Sequence, residues 1–151
     1  MKLAEALARR ADIIKEIENI ATRLNLNSKV QEGEEPSEDV NLLLELLDNN
    51  SNELEDLIKK INHTNNESKV KGVRIADLIA KRDALTKKIK ILQNFANSAS
   101  QRVDRYSNKE IRIVSSVNVN EIRKTIDSCS KELRLTENAI QEANWTIDLI
   151  D

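Results

Sequence analysis

The acidic turn at residues 31–39 contains the side chains of this sequence best suited to binding a metal ion. The carboxylates are those of Glu32, Glu34, Glu35 and Asp39. Carboxylate oxygens are the ligands that Mg²⁺ and Ca²⁺ prefer, but the spacing here lacks the ordered pattern of a calcium-binding loop. Acidic residues also suit the positive end of a helix, and one could begin just after Pro36. The sequence therefore leaves a metal site open and names no metal or other cofactor.

Two further segments place charged and aromatic side chains next to each other. Their residues are Arg102, Asp104, Arg105 and Tyr106 in one segment, and Glu142, Asn144 and Trp145 in the other. Connections between helices carry a large share of binding residues, and the two arginines need counter-charges. We therefore expect both segments to meet the acidic turn in one candidate binding cluster. A packed tryptophan that covers the end of the bundle, with Arg and Asp pairs that hold the loop, explains the same residues without a ligand, and it is the interpretation that we favour over a binding site.

The familiar catalytic motifs are absent from the sequence. It has no glycine-rich phosphate loop, dinucleotide fingerprint or Gly-x-Ser-x-Gly elbow. One histidine and one cysteine cannot form the usual zinc sites. His63 lies beside a polar turn, as solvated or capping histidines do, and Cys129 lies on the apolar face of a predicted helix, as buried cysteines do. The sequence favours a non-enzymatic protein, with a metal- or small-ligand-dependent enzyme or binder as the alternative.

The charge of the chain is unevenly distributed. No Lys or Arg occurs between Lys29 and Lys59, whereas most of the charged residues between positions 69 and 90 are basic. A basic segment can bind nucleic acid, but no aromatic residue is interleaved with the basic ones before Phe95, which argues against a single-strand reader. We expect acidic and basic helices to pair with each other, within or between subunits, and we expect no nucleic-acid partner.

Neither a signal peptide nor a membrane span is predicted. The N-terminal residues lack an uninterrupted apolar stretch, and no segment approaches the roughly 18 apolar residues of a membrane helix. The expected location is therefore the cytoplasm, with no membrane partner.

Apolar residues at three- and four-residue steps predict four long helices. The predicted helices cover residues 3–26, 37–62, 75–99 and 119–147, with a possible break at 48–52 in the second. On the first helix the apolar stripe consists of Leu3, Leu7, Ile14, Ile17, Ala21 and Leu24. On the fourth, the stripe from Val119 to Ile147 alternates strictly, which is typical of a coiled-coil seam. Between the third and fourth helices, residues 110–117 read as a short strand, whose expected partner is residues 29–31.

The second helix carries more apolar surface than one partner can cover. Its leucines at positions 42, 43, 44, 46 and 47 cannot all point to one side. A second apolar face requires a second partner, so we expect a homo-oligomer that Leu43→Asp or Leu46→Asp would weaken. The sequence thus predicts a mainly α fold, an antiparallel long-helix bundle with a short extended or β segment, as a single domain over residues 1–151.

Several short motifs resemble a family of small bacterial helical proteins, some of them known as septicolysin. The motifs are residues 1–7, 10–12, 30–36, 82–83, 104–107 and 140–146, with Asn62, Thr64, Asn65 and Arg102. The resemblance covers essentially the whole chain and implies a helical, oligomeric fold. The family name implies a cytolysin, a function that the absence of a secretion signal and of a membrane-length segment disfavours.

Overall fold

A computed structural model describes residues 1–101 and 111–151. The elements are α1 (Leu3–Leu26), α2 (Val40–Glu67), β1 (Lys69–Val70), β2 (Val73–Arg74), α3 (Ile75–Ser100) and α4 (Val119–Thr146). The prediction of a mainly α chain is confirmed. The chain divides into two compact units, a first unit of residues 1–75 with 142–151 and a second unit of residues 76–141. The single domain, the four-helix bundle and the homo-oligomer stay predictions.

In the first unit α1 and α2 pack against each other in antiparallel directions. Buried side chains on α1 are Leu3, Ala6, Ile13 and Ile20, and on α2 they are Leu43, Leu57, Ile61 and Thr64. Burial of each large apolar side chain stabilises the fold by about 1.5–3 kcal/mol. Leu3 is the only fully buried member of the predicted α1 stripe, and the stripe was wrong in its orientation after it, since Ile13 is buried and Ile14 is exposed. α1 has two adjacent apolar faces, and α2 covers only one of them.

Helix α2 begins at a capping aspartate and continues further than predicted. Asp39 Oδ1 accepts hydrogen bonds from the amides of Asn41 (2.9 Å) and Leu42 (3.4 Å), as an N-cap does. The predicted break at 48–52 does not occur, and the predicted end near residue 62 was wrong by more than one turn. Thr64 is buried, and its Oγ1 accepts a bond from the Ile150 amide (2.9 Å). This contact with a distant segment outweighs the low helix propensity of the local residues.

The sheet is a hairpin that the sequence did not predict. Lys69 pairs with Arg74 and Val70 with Val73. Lys71 and Gly72, the two turn residues, both have positive φ angles, of 50° and 82°, as a two-residue type I′ turn requires. The predicted strand was wrong for the described residues 111–117, and residues 29–31 form no strand either. Neither segment has a ladder partner among the described residues, whereas the two strands of the hairpin pair with each other across the turn.

The C-terminal segment is attached to the start of α1. The Leu3 amide donates to the Ile147 carbonyl and the Leu149 amide to the Met1 carbonyl, both at 2.9 Å. Lys2 Nζ also lies 2.9 Å from Asp148 Oδ1. The two ends of the described chain therefore lie side by side.

In the second unit α3 and α4 share an apolar core. Its buried residues are Leu85, Ile89, Ala96, Ile126 and Cys129, with Leu92, Ile122 and Leu133 packed against them. The interpretation of Cys129 as a buried apolar residue is confirmed. Lys81 Nζ on α3 pairs with Glu132 Oε1 on α4 at 2.8 Å. Across the described residues, no helix is both long and apolar enough to cross a membrane.

Candidate functional site

The acidic turn connects α1 to α2. Glu32, Glu34 and Glu35 are all exposed there, and the Glu34 amide donates to the Gln31 carbonyl at 2.9 Å. Asp39, the fourth candidate ligand, caps α2 instead. Within residues 1–101 and 111–151, no three His, Cys, Asp or Glu side chains are placed to hold a metal ion. The described structure therefore gives the metal alternative no support at this turn.

The turn is held to the end of α1 by an ion pair that the sequence reading missed. Arg23 Nε donates to both carboxylate oxygens of Glu38 at 3.0 Å. Asn27 Oδ1 accepts a bond from the Glu38 amide at 3.1 Å, and its Nδ2 donates to the Arg23 carbonyl at 2.8 Å. The hydrogen bonds from Arg23 lower the pKa of Glu38. Arg23 is the basic residue in the last turn of α1, and its position there could have indicated an ion pair with a nearby acid.

Glu38→Gln tests this ion pair through the pH dependence of stability. Because the pKa of Glu38 is lower in the folded protein, the carboxylate stabilises the fold above its unfolded pKa, and this contribution is lost as the pH falls through the folded value. The free energy of unfolding of the variant should therefore change less between about pH 5 and pH 3 than that of the wild type. Urea denaturation at each pH measures this difference.

The matched control for this experiment is Glu34→Gln, a change in the same turn. Glu34 is exposed, and its side chain has no ion pair with another described residue. The control should keep the pH dependence of the wild type. Equal slopes for Glu38→Gln and the wild type would contradict a stabilising Arg23–Glu38 pair.

The second candidate segment lies in the last turns of α4. Trp145 is 67% exposed and Asn144 is half-buried, so the structure does not support the favoured interpretation of a packed tryptophan. Glu142 Oε2 lies 3.9 Å from Lys71 Nζ, on the hairpin turn. This exposed pair is at the limit of an ion pair and contributes little to stability.

The structure does not bring the acidic turn and the Glu142–Trp145 segment together within one chain. The turn follows the C-terminal end of α1, whereas the end of α4 is bonded to residues at its N-terminal end. A helix of 24 residues separates these ends by about 36 Å. The prediction assumed that the first and last connections share one end of a bundle, and the pairing of the two chain ends rules this out. Arg102, Asp104, Arg105 and Tyr106 lie outside the described residues.

One side of the α1–α2 pair, which we call the polar side, is closed by ion pairs. Arg9 Nε lies 2.7 Å from Glu53 Oε1, and Arg9 Nη1 lies 3.0 Å from Glu16 Oε1. Asn50 Nδ2 donates to Glu16 Oε2 at 3.3 Å. A groove of about 390 Å³ lies on this side, lined by Lys15, Glu16, Asn19, Ile20, Arg23, Leu46 and Asn50. Glu16 is already paired with Arg9 and Arg23 with Glu38, which leaves little convergent polar chemistry for a ligand.

The opposite side of the pair, which we call the apolar side, has few charges. Its residues are Leu7, Ile14, Ile17, Ala21 and Leu24 on α1, and Leu44, Leu47, Leu54 and Ile58 on α2. Ile14, Ala21, Leu44 and Ile58 are exposed and the other five are half-buried. These side chains lie on two adjacent helices, on the side away from the Arg9–Glu53 pair. This surface is the candidate functional site that the structure offers.

The comparisons with known proteins identify a family. The family model of a family of unknown function, DUF6847, matches residues 10–149. The chain belongs to DUF6847. A crystal structure described as that of a functionally unknown conserved protein from Corynebacterium diphtheriae is similar to this DUF6847 protein, with 36% identity, 99% coverage of both chains and a TM-score of 0.89. No curated protein matches the chain. The resemblance to septicolysin was wrong, since the family shown is DUF6847, and neither comparison indicates a toxin or an enzyme.

Proposed function

We propose that this DUF6847 protein is a non-enzymatic helical protein of the bacterial cytoplasm that acts as a homo-oligomer in a binding or structural role. The observation that supports the proposal is the apolar side of α1 and α2. Leu44 is 48% exposed, and Ile14 and Ile58 are also exposed. Single exposed apolar residues are normal on a monomer, but a continuous patch of them marks an interaction surface.

The alternative of a ligand-dependent enzyme or binder depends on the polar loops. Its candidate residues are divided between the two ends of α1, and four of them lie outside the described residues. His63 is exposed on α2, and Cys129 is buried. The contacts of the described residues do not support a catalytic arrangement around His63 or Cys129. The binding cluster stays a prediction, and we prefer the homo-oligomer.

Sedimentation equilibrium of the purified protein tests the proposed self-association. At micromolar concentration the measured mass should be a multiple of the 17.2 kDa of one chain, because burial of apolar surface drives association. The apparent mass should fall on dilution if the subunits exchange. A mass of one chain at every concentration up to about 100 µM, where an association of Kd 1 µM would be nearly complete, contradicts the proposal.

A further inference from the structure

We infer that two copies of the chain associate through the apolar side of α1 and α2, so that four helices enclose a second apolar core between the copies. The inference rests on the proposed self-association and specifies its surface and its partner. Three properties of the first unit support it, namely the direction of the side chains, the size of the surface and its charges.

The direction of the side chains follows from helix geometry. Each residue of an α-helix is rotated by about 100° from the previous one. Two antiparallel helices that face each other turn toward the same side of the pair as each chain continues. The residue that directly follows a buried position therefore points to the same side on both helices. Ile14 follows buried Ile13 on α1, and Leu44 follows buried Leu43 on α2. The two helices thus present their second apolar stripes in one direction.

The polar side points the other way and explains why only one side is available for association. The Arg9–Glu53 pair crosses between the helices there, and the Arg23–Glu38 pair joins α1 to the turn before α2. Hydrogen bonds from Arg9 also lower the pKa of Glu53. An interface that covered these charged groups would remove them from water, which costs free energy. Burial of apolar residues has no such cost. Association through the apolar side removes mainly carbon from water.

The size of the apolar side suits a stable dimer. α1 and α2 contain 24 and 28 residues, so that the paired helices are about 36 Å long. Two helices at the usual separation of 8–10 Å present a face about 20 Å wide. The product is about 700 Å² for each copy, close to the roughly 800 Å² that each partner buries in a stable interface.

The charges of this side indicate a second copy rather than an unrelated partner. Arg10, four residues after buried Ala6, lies within the apolar side, is half-buried and has no ion pair with another described residue. The edges of the same side carry acids, Glu18 on α1 and Asp48 and Glu55 on α2. In a two-fold interface each copy supplies both charges, so the Arg10 of one copy can meet the acidic edge of the other copy. The surface is therefore complementary to itself.

Replacement of adjacent leucines by aspartate tests the interface, with the dissociation constant measured by sedimentation velocity. Leu44→Asp places a charge on the apolar side in both copies, so we expect the dissociation constant to rise by about 100-fold or more. Leu42→Asp is the matched control, because Leu42 is 59% exposed and belongs to a different side of α2. The control should stay within about threefold of the wild type, a difference below 1 kcal/mol. Circular dichroism of both variants should show the helix content of the wild type.

A second variant tests the charges and keeps the inference falsifiable if Leu44→Asp perturbs the helix. Arg10→Glu should also weaken association by at least about tenfold, because acid would then face acid. If the wild type is monomeric, the proposed function and this inference both fail. If it is oligomeric and neither Leu44→Asp nor Arg10→Glu weakens assembly, the proposed function stands and this interface is wrong. Equal weakening by Leu42→Asp and Leu44→Asp would also overturn the inference.

Discussion

Leu43→Asp should unfold the first unit at 25 °C. Leu43 is 2% exposed and lies in the core between α1 and α2. The substitution removes a buried leucine, worth about 1.5–3 kcal/mol, and puts a carboxylate in an apolar site, which costs several kcal/mol more. The sum reaches the 5–15 kcal/mol by which a whole domain is stable. Loss of the far-ultraviolet helix signal, or a large fall in the urea midpoint, would show this.

The control for this variant is the same substitution one residue earlier. Leu42 is 59% exposed and lies in the first turn of α2, where a negative charge favours the helix dipole. Leu42→Asp should keep the urea midpoint of the wild type. If Leu43→Asp unfolds at the wild-type midpoint, Leu43 does not lie in a core.

Leu43→Asp and Leu46→Asp, which the sequence suggested as changes that would weaken assembly, are unsuitable for that purpose. Leu43 is buried within one chain, so its replacement reports on folding and not on association. Leu46 lines the groove on the polar side. Leu44 is the member of this run that lies on the apolar side. The three adjacent positions 42, 43 and 44 should therefore give three different outcomes, namely no effect, unfolding and dissociation.

Ile89→Ala should destabilise the second unit by about 2–5 kcal/mol, the range for truncation of a large aliphatic side chain in a core. Ile89 is 8% exposed and belongs to the apolar core shared by α3 and α4. Removal of its outer carbons takes away contacts with α4 and leaves a cavity. Urea denaturation followed by circular dichroism measures the change in the free energy of unfolding.

Ile91→Ala is the matched control on the same helix. Ile91 is 61% exposed, so its truncation should change stability by no more than about 0.5 kcal/mol. Alanine has the higher helix propensity, which offsets part of any loss. A cost for Ile91→Ala as large as that for Ile89→Ala would mean that α3 faces its partner in a different orientation.

The sequence by itself determined the features that depend on neighbours along the chain. The bounds of α1 agree with the prediction, and Asp39 and Asn118 cap α2 and α4. The stripe on α4 that contains Cys129 is buried or half-buried as its spacing indicated. These properties follow from the 3.6-residue period and from side chains that bond to amides two or three residues away, and both are local.

The tertiary structure decided the features that depend on residues far apart in sequence. α2 continues to Glu67 because Thr64 meets the amide of Ile150, which lies 86 positions along the chain. Which of two adjacent apolar stripes of α1 became the core depended on the placement of α2. The candidate binding cluster was divided in the same way, because the C-terminal segment pairs with Met1 and Leu3 and not with the acidic turn. Periodicity shows that a side chain can be buried, but only the contact between distant elements decides what buries it.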